Sequence, residues 1–148
     1  MDGLHLTADL HGCPLAHAAM TDIDALRTHC LTAVAAAGLQ AVGELFHRFP
    51  PLAGAPAGAA HGSTGVVLLA ESHLAVHTWP ELGAVTLDVY VCNVGADNSQ
   101  RAEGLLNALL QGFAPARVER HALRRGALMA ASVAAAAAAV AVAVAVAA

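Results

Sequence analysis

Reactive side chains concentrate in one short stretch, Glu71 to Glu81, which reads ESHLAVHTWPE. It holds two carboxylates, a serine, two histidines, a threonine and the only tryptophan, in a chain that is 57% hydrophobic. Polar groups set in apolar surroundings must be satisfied by partners or used for chemistry. Ser72 is a candidate nucleophile and His77 a candidate base. Cys92, twenty residues beyond Ser72, offers a thiol.

Spacing narrows the chemistry. The flanking pattern is that of strands, with HLAVHTW and AVTLDVYVC forming a hairpin around Pro80-Glu81-Leu82-Gly83. A hairpin centred on Leu82 sets residues whose numbers sum to 164 opposite each other, so Ser72 is expected to face Cys92. His73 and His77 share a strand face but stand about 13 Å apart, too far to hold one metal ion, so no metal is expected. A Ser–His hydrolase using Ser72, His77 and either Asp88 or Glu71 is a second reading, although no GxSxG elbow is present. The odd spacing of Ser72 and His77 puts them on opposite faces of a regular strand. For one to serve the other, the strand must bend, bulge or be cut between them.

The elements that position these residues can be read in order. GLHLTADL alternates apolar and polar residues as a half-buried strand. Thr21 or Asp22 caps a helix running to about Ala37, with Gly38 as its stop. Ile23, Leu26, Cys30, Leu31 and Val34 form its apolar stripe. A strand spans about Leu39 to Phe49, and Pro50 to Gly62 is a Pro/Gly/Ala loop. TGVVLLA reads as a buried strand before the hairpin. Asn98 or Ser99 starts a second helix to about Gly112, closed by Pro115, and ARVERHAL is the last strand. The fold class is α+β: a two-layer sandwich of a largely antiparallel sheet with two helices on one face. The uncovered sheet face is expected to pack on a second copy.

Composition excludes several functions. The formal charge of −4 argues against nucleic acid as a partner. All seven basic residues are arginine, so no lysine is present to form an internal Schiff base with pyridoxal phosphate or to complete a Walker motif. Three scattered cysteines, Cys13, Cys30 and Cys92, make neither a disulfide framework nor a zinc site. The first residues lack the basic and apolar regions of a signal peptide, so a cytoplasmic location is expected. The last 22 residues, 127–148, are uncharged and nearly all Ala and Val. As a helix they would be about 33 Å long, enough to cross a bilayer, with the arginines before them on the cytoplasmic side. Alanine is nearly neutral for insertion, so 126–148 reads first as a low-complexity tail, with a membrane anchor as the alternative.

The block ESHLAVHTWPE, preceded by GSTGVVLLA and followed by LDVYVCN, resembles the bacterial and archaeal S-adenosylmethionine decarboxylase proenzymes. The resemblance extends to HLTADLHGC and ELFHRF and covers most of residues 3 to 125, a single domain at 1–125. It implies an enzyme that makes its own cofactor. In that family the serine hydroxyl attacks the preceding carbonyl, and the resulting ester eliminates. The dehydroalanine left behind hydrolyses to a pyruvoyl group, which forms a Schiff base with the substrate amine. By resemblance the pyruvoyl precursor is Ser72 and the cleavage site Glu71–Ser72, giving a β chain of 1–71 and an α chain from 72 onward. His77 matches the processing base and Cys92 the proton donor. Phe49 matches the residue that stacks on adenine, Glu81 the acid that holds the ribose, and Thr64 a Ser/Thr position that assists processing. The implied product is S-adenosyl 3-(methylthio)propylamine for spermidine biosynthesis, from a homodimer of αβ units.

Two departures concern the substrate. The family passes from the Phe to the Gly-Val-Ser-Gly turn in a few residues, whereas this chain inserts a stretch containing AGAPAG. The family's PEYGY is PELGA here, without either tyrosine. A pyruvoyl-dependent arginine or ornithine decarboxylase is therefore the alternative reading, followed by a non-catalytic homologue.

Overall fold

The computed structural model describes residues 2–50, 53–54, 56 and 58–126. Six strands form one antiparallel sheet in the order β2-β3-β4-β5-β1-β6. They are β1 (Gly3–His11), β2 (Ala41–Arg48), β3 (Ser63–Leu69), β4 (His73–Trp79), β5 (Ala84–Cys92) and β6 (Arg117–Arg125). Helices α1 (Ile23–Ala36) and α2 (Ser99–Phe113) pack together on one face. The expected α+β sandwich is the observed one. No helix among the described residues is long and apolar enough to cross a membrane. The 127–148 segment lies outside the described residues.

Alternation along the strands builds the core. Leu4, Leu6, Ala8 and Leu10 of β1, Leu74 and Val76 of β4, and Val85, Leu87, Val89 and Val91 of β5 all point to the helices and are buried. They meet Leu26, Cys30, Ala33 and Val34 of α1 and Leu105, Leu106, Leu109 and Phe113 of α2. Each such Leu or Val contributes about 1.5–3 kcal/mol by leaving water. The expected α1 stripe is largely present, although Ile23 and Leu31 are only half-buried while Ala33 is buried.

Local signals set the helix ends. The Asp22 carboxylate accepts from the Ala25 N–H at 2.7 Å, a cap of about 1 kcal/mol. α1 closes with Gly38 N–H on the Ala35 carbonyl and Leu39 N–H on that of Val34. Gly112 lets the helices approach: a β-carbon there would collide with the His29 ring, which stands edge-on to Phe113 at 5.1 Å. Burial holds the His29 pKa below the usual imidazole value. β6 is tied to α2 by Arg120, which reaches Glu103 at 2.8 Å and Asn107 at 3.1 Å.

The opposite sheet face carries no helix. His73, Ala75, His77 and Trp79 point there from β4, and Ala84, Thr86, Asp88 and Tyr90 from β5. Leu45, Leu68 and Leu123 share this face and are 70%, 51% and 61% exposed.

Candidate functional site

Ser72 does not lie inside a continuous strand. β3 and β4 are joined by a two-residue turn, Ala70-Glu71. The Leu69 N–H donates to the Ser72 carbonyl at 2.9 Å, and the Ser72 N–H donates back at 3.4 Å. The polar stretch is thus a turn followed by a strand. Glu71 is exposed at the turn and Ser72 is half-buried at its exit. A cut between them leaves Leu69 anchored in β3 and His73 in β4, so both new ends stay in the sheet. That arrangement suits a group formed at residue 72 without loss of the fold.

The expected pairing of Ser72 with Cys92 is corrected by one residue. Trp79 faces Ala84 and His73 faces Tyr90, so partner numbers sum to 163. Four residues separate Trp79 from Ala84: a 3-10 turn, Pro80–Leu82, and Gly83 at φ 58°. An even loop puts the hairpin centre between residues and not on Leu82. That register sets Ser72 opposite Val91, while Cys92 pairs on the other side of β5 with Gly3 of β1. Serine and cysteine still meet, because the Cys92 N–H donates to Ser72 Oγ at 3.1 Å. The Cys92 carbonyl accepts from Asn98 Nδ2 at 2.9 Å, so its backbone is held on both sides. Burial raises the thiol pKa of Cys13, and that of Cys30 to about 12, which leaves both protonated and inert.

Next to this pair lies a polar cluster that the sequence did not announce. His5 Nε2 is 2.8 Å from Asp88 Oδ2, and His73 Nε2 is 3.4 Å from Asp88 Oδ1. The Tyr90 ring stands 5.9 Å from the His5 ring and 5.6 Å from the His73 ring. The Arg125 guanidinium lies 4.9 Å from the Tyr90 centroid. Glu71, Ser72, His73, Tyr90, Cys92 and Arg125 share the lining of a cavity of about 480 Å³. A correct hairpin register would have placed His73 beside Tyr90. His5 and Arg125 enter from β1 and β6, whose neighbours no local pattern reveals.

The remaining candidates lie elsewhere. His77 faces the open side, paired with Thr64 of β3 and Thr86 of β5. Five strand residues separate it from Ser72, about 16 Å. Asp88 is engaged by His5 and His73 and not by His77, so the chain does not assemble the Ser72–His77–Asp88 arrangement of a hydrolase. Phe49 and Glu81 line a different cavity of about 400 Å³ with Trp79, His61 and the Pro56 and Ala59 side of the inserted loop. The Phe49 and Trp79 rings are 5.3 Å apart. The candidate residues therefore fall into two groups, two candidate half-sites: Ser72 with Cys92 at one end of β4, and Thr64, His77, Phe49 and Glu81 toward the other.

Comparison with known proteins identifies the family. The family model described as S-adenosylmethionine decarboxylase matches residues 4–126. The S-adenosylmethionine decarboxylase proenzyme of Persephonella marina is 36% identical over 124 residues, covering 84% of this chain and 82% of that one. The proenzyme of Archaeoglobus fulgidus is 33% identical, covering 84% and 97%. The crystal structure of the adenosylmethionine decarboxylase from Aquifex aeolicus superposes with a TM-score of 0.70 at 33% identity, covering 84% of this chain and 90% of that one. On sequence and fold together, the chain belongs to the S-adenosylmethionine decarboxylase family.

Proposed function

We propose that this protein is a proenzyme that cuts itself between Glu71 and Ser72 and then decarboxylates S-adenosylmethionine to S-adenosyl 3-(methylthio)propylamine and CO2. The observation that carries the reading is the Ser72 hydroxyl, held on the Cys92 N–H at the exit of a two-residue turn, in a chain of this family. In the first step Ser72 Oγ attacks the Glu71 carbonyl carbon, and the amide becomes an ester. His77 then takes the Ser72 α-proton, and the ester oxygen leaves as part of the new α-carboxylate of Glu71. The dehydroalanine left at residue 72 takes up water and releases ammonia, which gives the pyruvoyl group. Residues 1–71 become the β chain and residues from 72 the α chain.

The pyruvoyl group formed at residue 72 supplies a ketone that binds the substrate amine and draws off electrons as CO2 departs. The absence of lysine fits a carbonyl made from the chain itself. Cys92, beside residue 72, returns a proton to the product carbon. Phe49 stacks on the adenine and Glu81 holds the ribose hydroxyls.

The two half-sites give the assembly a reason. His77 lies too far from Ser72 of its own chain to take its proton. Two copies packed by their open faces with β4 strands running oppositely bring His77 and Thr64 of the partner subunit toward Ser72. The same packing covers Leu45, Leu68 and Leu123. The working unit is then a homodimer of αβ units. Three free cysteines suit a reducing cytoplasm.

Release of CO2 measured in parallel from S-adenosylmethionine, arginine and ornithine tests the substrate. Turnover of S-adenosylmethionine alone is expected. Turnover of a basic amino acid in its place would assign the remodelled Phe49 cavity to another substrate.

A further inference from the structure

We infer that the cavity beside Ser72 contains a carboxylate subsite whose anion-binding group is Arg125; this rests on the pyruvoyl reading of Ser72. An amino-acid substrate joined through its amine at residue 72 carries its carboxylate two bonds beyond that nitrogen. That carboxylate must sit in space adjoining residue 72, on the side where Cys92 can reach the carbon between them. The cavity lined by Ser72, Cys92, His73, Tyr90 and Arg125 is that space.

Arg125 is the permanent cation of this lining. Its guanidinium lies over the Tyr90 ring at 4.9 Å. Stacking of this kind fixes the plane and leaves the N–H edges free for a bidentate pair with a carboxylate. Among the described residues Arg125 makes no ion pair, whereas its neighbour Arg124 is 3.6 Å from Asp2. Two carboxylates lie in or beside this cavity, and neither forms an ion pair with Arg125: Asp88 is hydrogen-bonded to His5 at 2.8 Å, and Glu71 is exposed at its turn. A second cavity also touches Ser72 and contains Arg101, but it lacks Cys92, and Arg101 donates to Asn98 Oδ1 at 3.2 Å. Because the carboxylate is lost in the reaction, Arg125 acts on substrate capture, and its removal belongs in KM.

The test compares the full-length protein with Arg125→Gln and Arg125→Lys. KM for S-adenosylmethionine is read from CO2 release. Affinity for the carboxylate-free product amine is read from inhibition. Arg125→Gln is expected to raise KM roughly ten- to a hundredfold while the inhibition constant of the amine moves less than about threefold. Arg125→Lys should recover part of the loss. An unchanged KM, or equal weakening toward acid and amine, overturns the subsite. So does failure of both variants to self-cleave when the wild type does, since the arginine then serves maturation. A wild-type chain that neither cuts nor releases CO2 sinks the underlying reading, and the subsite with it.

Discussion

Ser72 has an ordinary hydroxyl; its position makes it useful. The turn leaves Glu71 exposed, and the Cys92 N–H orients the Ser72 oxygen. The contact uses the backbone of Cys92, not its sulfur, and this separates two roles. Cys92→Ala keeps the N–H on Ser72 and is expected to self-cleave at least in part. Loss of the thiol should then cost a hundredfold or more in CO2 release, at the low end of the roughly 10²–10⁴ range for a general acid. A cleavage gel and a CO2 assay on one preparation check this; normal turnover would remove Cys92 from the mechanism. Ser72 and Cys92 were legible as a pair because twenty residues and one hairpin connect them. Arg125 was not, because it reaches the site through β6, which pairs with β1 at the far side of β5.

At the scale of elements, alternation in GLHLTADL, HLAVHTW and AVTLDVYVC identifies strands and their buried faces, and Asp22 and Gly38 mark the ends of α1. Two features escaped that reading for a physical reason. Ala70-Glu71 carries none of the Gly, Asn or Asp signals of a tight hairpin, so TGVVLLA and HLAVHTW read as two strands with no turn marked between them, and Ser72 as lying in a strand with His77. The Pro80–Gly83 loop could centre on a residue or between two, and one residue of shift changes every cross-strand partner. The shift placed His73 against Tyr90 and opened the His5–Asp88–His73 cluster to view. Strand order across the sheet depends on contacts distant in sequence, which periodicity does not encode.

At the scale of the whole molecule, the two half-sites predict complementation between chains. A Ser72→Ala chain still supplies His77, and a His77→Ala chain still supplies Ser72. Neither should be cut when expressed alone. Expressed together in equal amounts, with random pairing into two-fold dimers, about half of the His77→Ala chains meet a Ser72→Ala partner and should be cleaved. If no chain is cut in the mixture, while wild type cleaves, His77 does not act across the open face.

The claim beneath all of this is that the chain breaks its own backbone at one bond. Intact-mass measurement of the full-length protein after expression tests it most directly. Wild type should give two fragments, residues 1–71 and a C-terminal fragment whose blocked first residue derives from Ser72, while Ser72→Ala should give one uncut chain of 148 residues. A single intact wild-type chain, or the same two fragments from Ser72→Ala, would contradict the account.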